Sequence, residues 1–133
     1  MRKTVAVFIA VLLAGCSKEE IARNAVINAM TGGYWKVVRF KSGTADATTD
    51  FSAYKFQFKE NFTVDALSNS VVVKTGTWSA DPNAKTITSS FANAGHPLAL
   101  LNGTWHVTRN DWNYVEASQN ASGEPKELRL EKN

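Results

Sequence analysis

The chain has 133 residues, of which 44% are hydrophobic, 20% charged and 11% aromatic. This composition is typical of a globular protein and excludes a disordered or collagen-like chain, and the length suits one domain. The single cysteine excludes an intramolecular disulfide, and with two histidines it leaves too few ligands for most zinc sites. The 15 basic residues exceed the 12 acidic ones by three, and two of the basic residues are Arg2 and Lys3 at the N-terminus. No basic surface that would bind nucleic acid is therefore predicted.

The first fifteen residues are typical of a secretory signal. Met1-Arg2-Lys3 gives a positive start, and ten apolar residues follow without interruption at positions 5–14. A helix of ten residues rises about 15 Å, which is too short to span a bilayer. A positive start, a short apolar core and small residues after it predict that residues 1–15 are a cleaved signal peptide.

The end of this segment, Leu13-Ala14-Gly15-Cys16, resembles the lipobox of bacterial lipoproteins. The resemblance implies that Cys16 receives a diacylglycerol, that the chain is cut before it, and that the new N-terminus is acylated, for example with palmitate. Several acyl chains anchor a protein stably where one chain would not. We therefore expect lipidation of Cys16, with the lipid anchor and a short helix in residues 16–33. The alternatives are a chance cysteine after an ordinary signal peptide, or a buried thiol.

The next four residues, Ser17-Lys18-Glu19-Glu20, resemble the surface-export signal of Bacteroidetes lipoproteins. The resemblance implies a protein that is anchored in the bacterial outer membrane and faces outward. The inner leaflet of that membrane is the alternative location. The same residues also fit helix chemistry, since Ser17 and Glu20 have the spacing of a capping box.

A short helix is predicted next, because apolar residues recur at helical spacing and two glycines then end the pattern. The stripe comprises Ile21, Ala22, Ala25, Val26, Ala29 and Met30, and the glycines are Gly32 and Gly33. We expect the stripe to pack on the domain that follows, with binding to a membrane surface as the alternative.

From residue 34 the apolar residues alternate with a period of two, which indicates β-strands. Short turns separate most of the runs, so neighbouring strands should be antiparallel. The predicted strands are residues 34–40, 53–59, 62–66, 71–80, 85–91, 104–109, 112–117 and 126–131. The run at 71–78 has apolar residues on both faces, so its inward side is left open.

About eight antiparallel strands in sequence order make a meander, and closing it into an up-and-down barrel removes its two unpaired edges. The predicted fold is therefore an all-β barrel of about eight strands, preceded by one short helix. A barrel of eight strands is filled by side chains or holds one small ligand. Two longer segments, residues 41–52 and 92–99, are expected to be lids or disordered decoration.

Three segments share a Gly-x-Trp pattern: Gly33-Tyr34-Trp35, Gly76-Thr77-Trp78 and Gly103-Thr104-Trp105. Residues two apart in a strand face the same side, so each glycine should leave room for the indole beside it. A Gly-x-Trp that follows a short helix and opens the first strand resembles the lipocalin signature. The chain from about residue 30 to residue 133 accordingly resembles the lipocalin-like domains of small bacterial lipoproteins, and we expect the barrel domain at residues 34–133.

The lipocalin resemblance implies that Trp35 closes the floor of the barrel and that a basic residue near the last strand packs over it. Arg129 is the candidate for that residue, with Lys126 second. The chain is shorter than most secreted lipocalins and lacks their disulfide. Avidin-like barrels are also small and rich in tryptophan, so the ligand class stays open.

Aromatic side chains would line a ligand inside the barrel, and in a solid barrel the same side chains would form the core. The candidates are Trp35, Phe56, Phe58, Trp78, Trp105 and Tyr114. The first interpretation predicts a lipid-anchored envelope protein that binds a small hydrophobic or amphipathic molecule. The second predicts an accessory or inhibitor protein that docks an envelope partner. A cavity of roughly 300 Å³ or more would favour the ligand, and a filled interior with an exposed apolar patch would favour the protein partner.

No arrangement of catalytic residues is recognisable, so we expect no enzyme, no cofactor and no metal. Cys16 is used by the anchor, and neither His96 nor His106 has a partner that the sequence identifies. The acidic residues fall mostly in turns or at outward, solvated strand positions, and no glycine loop for phosphate binding is present.

Overall fold

A computed structural model describes residues 18, 20–120 and 123–133 of the chain. The predicted signal peptide and Cys16, with its predicted lipidation, lie outside the described residues. A helix at residues 20–31 comes first, as the apolar stripe predicts. Gly33 follows it with a φ of 74°. Glycine adopts this left-handed conformation without strain, and it commonly ends a helix for that reason.

Nine strands follow the helix in the described residues. Their bounds are β1 Trp35–Ser42, β2 Ala45–Asp46, β3 Tyr54–Phe58, β4 Thr63–Ser68, β5 Val71–Asp81, β6 Thr86–Ser90, β7 Gly103–Asn110, β8 Tyr114–Gln119 and β9 Lys126–Lys132. The 3-10 helix Thr48–Phe51 lies in the first longer segment. The 3-10 helix Leu98–Leu101 begins in the second, which in the structure continues to residue 102, just before β7. The short β2 pairs only with the end of β1 in this part of the chain, and the other eight strands match the eight that the alternation predicts.

The strands form one antiparallel sheet that closes on itself. Each strand from β3 to β9 pairs with the next one, and β9 pairs back with β1 from Trp35–Lys132 to Ser42–Lys126. The described residues thus form a closed eight-stranded antiparallel barrel with one N-terminal helix, which confirms the predicted fold class. Closure pairs backbone groups that an open sheet would leave unpaired at its edges.

The wall between β1 and β3 is completed by the first of the two longer segments. One register pair, Trp35 with Phe56, joins β1 to β3 within the described residues. Beside this seam, the backbone N–H of Phe40 donates to Thr48 Oγ1 at 2.9 Å. Phe51 is fully buried, with its ring centroid 5.5 Å from that of Phe40. Residues 41–52 are therefore neither a lid nor disordered decoration, because the burial of Phe51 fixes them in the wall.

The second longer segment lies at the end of the barrel where β1 ends, beside the first longer segment. Leu98 and Leu101 are buried, and Phe91 just before the segment is 1% exposed. His96 Nε2 lies 2.7 Å from Oδ2 of Asp50, so a hydrogen bond joins the two segments. The expectation of a lid or decoration at 92–99 is corrected in the same way, since buried leucines hold this segment against the core. We call this end the loop end, and the opposite end, where the helix lies, the helix end.

Three indoles attach the connecting segments to the barrel interior. Trp35, Trp78 and Trp105 are 0%, 2% and 3% exposed. Each donates its Nε1 hydrogen to a backbone carbonyl; the acceptors are Met30 at 2.8 Å, Lys59 at 2.9 Å and Leu101 at 3.0 Å. A buried indole needs such a partner for its one N–H, so these bonds tie the helix, the β3–β4 turn and the second longer segment to the core.

The glycines of the Gly-x-Trp pattern do not have the predicted role. A Cβ on Gly76 would collide with the Ser90 carbonyl and lie 2.8 Å from the Phe91 ring. A Cβ on Gly103 would lie 2.5 Å from the amide nitrogen of Gln119. The nearest neighbours of Gly76 and Gly103 on this side are thus groups other than the indoles, and nothing lies within 4 Å of a Cβ placed on Gly33.

The two halves of β5 have different surroundings. Residues 77–81 pair with β6, and Thr77 also pairs with β4. Gly76 and Trp78 are buried, so their side of the strand is the inward face that the sequence leaves open. Val71, Val72 and Val73 are 63%, 50% and 51% exposed. This half pairs with β4, through a bulge, and has no β6 partner in the described residues.

Replacing the most deeply buried indole should destabilise the fold strongly. Trp35→Ala is expected to lower the free energy of unfolding by about 3–5 kcal/mol, because it leaves a cavity in the core. It also deprives the Met30 carbonyl of its donor. Urea denaturation measures the change. Trp112→Ala is the matched control, since that ring is 61% exposed, and it should change stability by less than about 0.5 kcal/mol. A Trp35→Ala protein as stable as the parent would contradict the core assignment.

Candidate functional site

The barrel interior holds five of the six predicted cavity residues. Trp35, Phe56, Phe58, Trp78 and Trp105 are at most 6% exposed and belong to one core cluster. The rings of Phe58 and Trp78 meet edge to face, with centroids 5.4 Å apart. The space left inside is about 40 Å³, far below the roughly 300–1,000 Å³ of small-molecule sites. The structure therefore brings these side chains together as packed core, without the open cavity that a ligand in the barrel would need.

Tyr114, the sixth candidate, lies on the outside of the barrel. Val115 and Ala117 of β8 are buried, and the alternation along the strand turns Tyr114 outward. The Arg129 guanidinium carbon lies 4.2 Å from the centroid of its ring, in a cation–π contact. The prediction that Tyr114 lines the interior is therefore wrong.

Arg129 also lies outside the barrel and does not pack over Trp35. Its Nε donates to Glu131 Oε2 at 2.8 Å, and its Nη1 donates to Glu116 Oε2 at 2.6 Å. These hydrogen bonds, with Glu131 the larger contributor, raise the pKa of the guanidinium above its usual value. The residue predicted to cover the barrel floor instead belongs to a charge network on the outer surface.

Lys132 is the basic residue that lies over the first tryptophan. Its Nζ is 5.4 Å from the centroid of the Trp35 ring, and the two residues are partners in the β1–β9 register. Lys126, the second candidate from the sequence, pairs with Ser42 at the other end of the same strand. The register between the first and last strands decides this assignment, and sequence alone does not give that register.

A groove of about 510 Å³ opens at the helix end of the barrel. One wall is the apolar stripe of the helix, represented by Ala22, Ala25, Val26, Ala29 and Met30. The other wall is formed by the ends of the β5–β6 and β7–β8 hairpins, including Ala80, Ile87, Val107 and Val115. Met30 is 2% exposed and packs on the core as predicted, but the smaller residues of the stripe leave space between helix and barrel.

Two hairpin turns shape the polar rim of the groove. Asp81 Oδ1 accepts two backbone N–H groups of its own turn, at 3.0 and 3.2 Å. Asp111 Oδ1 does the same in the β7–β8 turn, at 2.7 and 3.0 Å. Side-chain bonds of this kind fix a turn in one conformation. Lys85 adds a cation to the same rim, so the groove combines an apolar floor with charged groups at its edge.

Trp112 lies at the rim of the groove and is 61% exposed, unlike the three interior indoles. The sequence analysis places it in a strand, whereas the structure places it in the turn before β8. It differs from the other three tryptophans in having Asn110, and no glycine, two residues before it. That difference is the signal that could have identified it. The groove itself was missed, because its walls come from segments far apart in the chain.

His96 has a partner that the sequence did not reveal. Asp50 lies 46 positions earlier, and both side chains are exposed, at 61% and 45%. Among the residues that the structure describes, no group of three or more His, Cys, Asp or Glu side chains could hold a metal ion. None of the described helices is both long enough and apolar enough to cross a membrane.

Asp65 is a buried carboxylate, in contrast to the turns and outward, solvated positions predicted for most of the acidic residues. It is 5% exposed on β4. Lys59 Nζ lies 2.8 Å from one carboxylate oxygen, and Thr75 Oγ1 donates to the other at 2.8 Å. The bond from Lys59 and then the bond from Thr75 hold the pKa of Asp65 below its usual 3.8, although burial acts in the opposite direction.

One solved structure with a similar fold is described as a DUF4847 family protein from Bacteroides vulgatus ATCC 8482, at 1.00 Å resolution. The two chains align with a TM-score of 0.58 over 81% of this chain and 97% of that one. They are 18% identical, so the likeness concerns the fold alone. No family model matches the chain, and no curated protein matches it.

Asp65 should make stability depend on pH in the acid range. A carboxylate whose pKa is lower in the folded than in the unfolded chain stabilises the folded state. The full contribution is present at pH values above the pKa of the unfolded chain, and it is lost as the pH falls through the pKa of the folded chain. The difference in unfolding free energy between the parent and Asp65→Asn should therefore be largest above about pH 5 and shrink in more acidic solution. Urea denaturation from pH 7 to pH 2.5 measures it. Glu60→Gln, at an exposed turn position, controls for the loss of one negative charge, and a gap that does not change with pH would contradict the assignment.

Proposed function

We propose that this chain is a lipid-anchored protein of the bacterial envelope, with a lipocalin-like barrel that binds a small hydrophobic or amphipathic molecule without catalysis. The observation that carries the proposal is the groove of about 510 Å³ at the helix end. The binding site is thus moved from the barrel interior, where the sequence analysis expects it, to the space between helix and barrel.

The size and lining of the groove support binding of an apolar molecule. Its volume lies within the range of roughly 300–1,000 Å³ that small-molecule sites occupy. Ala22, Ala25 and Ala29 present only methyl groups to it, and larger side chains at these positions would fill the space. Burying the apolar part of a ligand here would contribute about 25 cal/mol for each Å² removed from water.

The rim supports an amphipathic ligand in particular. Lys85 and Thr86 line the groove beside the apolar wall. A carboxylate or phosphate head group next to Lys85 would gain a charge-assisted hydrogen bond while the apolar part lies between helix and barrel. Both carboxylates of the rim, Asp81 and Asp111, already accept hydrogen bonds within their own turns.

The lipobox resemblance at Leu13-Ala14-Gly15-Cys16 supports the anchor. Residues 17–20, which resemble a surface-export signal, support an outward-facing position on the outer membrane. The helix begins within four residues of Cys16, so the barrel would lie close to the membrane.

A second candidate function is docking of an envelope protein partner. It is favoured by the filled interior and by the three exposed valines at the start of β5, whose outer edge has no β6 partner in the described residues. An extended segment of a partner could add a strand there. The bulge at Val73 and the charge on Lys74 oppose it, because such features protect edge strands from pairing.

Filling the groove should weaken ligand binding. Ala25→Phe places a ring in the groove, so we expect its affinity for palmitate to fall at least tenfold. Native mass spectrometry measures the binding. Asn24→Phe is the matched control, because Asn24 is exposed and lies on the same helix away from the groove. Equal palmitate binding by both variants would contradict the groove as the site. Native mass spectra of the parent purified from its host provide a second test, in which a retained polypeptide without a small molecule would favour the docking function.

The anchor is tested separately by Cys16→Ala, which removes the thiol that accepts the lipid. We expect this variant to leave the membrane fraction for the soluble fraction, since the remaining apolar segment is too short to span a bilayer. Immunoblots of fractionated cells measure the distribution. Unchanged membrane retention of Cys16→Ala would contradict the lipoprotein assignment and leave the groove experiment unaffected.

A further inference from the structure

The mouth of the groove is flanked by two exposed apolar side chains. Trp112 is 61% exposed in the turn before β8, and Ile21 is 66% exposed near the start of the helix. Trp112 and Ala22, the neighbour of Ile21, both line the groove. Apolar side chains exposed around an apolar concave surface indicate contact with another molecule or with a membrane.

The chain that precedes the helix leads to this same end of the barrel. Cys16 lies two residues before Lys18 and four before Glu20, and both Lys18 and Glu20 are helical. Four extended residues span at most about 14 Å. With the proposed lipid on Cys16, the start of the helix is held within that distance of its attachment point in the bilayer. The helix end of the barrel is therefore the end that the tether brings to the membrane.

The charges around the mouth do not oppose contact with lipid. Lys85 is a cation in the lining of the groove, and Asp81 and Asp111 are anions there, each bonded within its own turn. Near Ile21 on the helix, the exposed Arg23 offsets the charge of the exposed Glu20. An indole at the edge of an apolar surface suits the interfacial layer of a bilayer, where its ring is buried and its N–H stays hydrated. This chemistry, together with the short tether, favours a lipid surface over a protein as the occupant.

We propose that the helix end of the barrel docks on the lipid bilayer, with Trp112 in the interfacial layer and the groove open towards the acyl chains. The inference rests on the proposed lipid anchor and adds a fixed orientation to it. The groove then receives its ligand from the membrane side, and the loop end faces away from the membrane.

The test uses the lipidated full chain reconstituted in phosphatidylcholine vesicles with bromine on the acyl chains, close to the head group. Bromine quenches indoles that reach the interfacial layer. The parent should lose the share of its fluorescence emission that Trp112 contributes, one indole of four. Acrylamide in the water should quench Trp112 less in vesicles than in detergent. Trp112→Phe should lose no emission to bromine, because the other three indoles are at most 3% exposed.

A second indole at the far end separates orientation from simple proximity to vesicles. Thr44→Trp, made in the Trp112→Phe background, places an indole at an exposed turn of the loop end, and it should stay accessible to acrylamide and unquenched by bromine. Equal bromine quenching at both positions, or none at Trp112 in protein that floats with the vesicles, would overturn the orientation and leave the anchor intact. Protein that fails to float with the vesicles would contradict the anchor. In that case the unlipidated chain is added to the same vesicles, and an absence of bromine quenching of Trp112 also overturns the inference.

Discussion

The structure depends on three hydrogen bonds that buried indoles donate to backbone carbonyls. Each of Trp35, Trp78 and Trp105 fills the barrel interior with a large apolar ring and has one N–H that burial obliges to find an acceptor. The acceptors are the carbonyls of Met30 in the last turn of the helix, Lys59 in the β3–β4 turn and Leu101 in the second longer segment. The same side chains thus pack the core and position the segments that close both ends of the barrel.

This arrangement leaves the larger apolar space outside the barrel interior. Packing the interior with aromatic rings leaves about 40 Å³, whereas the space between the helix and the hairpins is about 510 Å³. The helix packs on the core through Met30, with Val26 and Ile27 partly buried beside it, whereas its alanines line the open groove. A barrel without room for a ligand can therefore still present an apolar site, because a small-residue helix lies across its end.

Period-two alternation predicted the strands and the closed barrel, because both follow from local pattern and short turns. The same alternation could also have placed two residues correctly. Leu128 and Leu130 face inward, so Arg129 between them faces outward, and Tyr114 precedes the inward Val115 in the same way. The position of Lys132 over Trp35 could not be predicted, because it depends on the register between strands about 95 residues apart. The burial of Phe51 could not be predicted either, since it compensates for the narrow β1–β3 seam, a feature of the whole barrel.

The groove shows how local and long-range determinants combine at one site. Turn chemistry fixes the rim, since the side chain of Asp111 orders its own turn and presents Trp112 to the surface. Long-range packing fixes the width, since the bond from Trp35 to Met30 sets how closely the helix approaches the barrel. The glycine-free context of Trp112 is readable in the sequence, but the distance between helix and hairpins is not. The groove is therefore a surface whose chemistry is set locally and whose shape is set by the closed barrel.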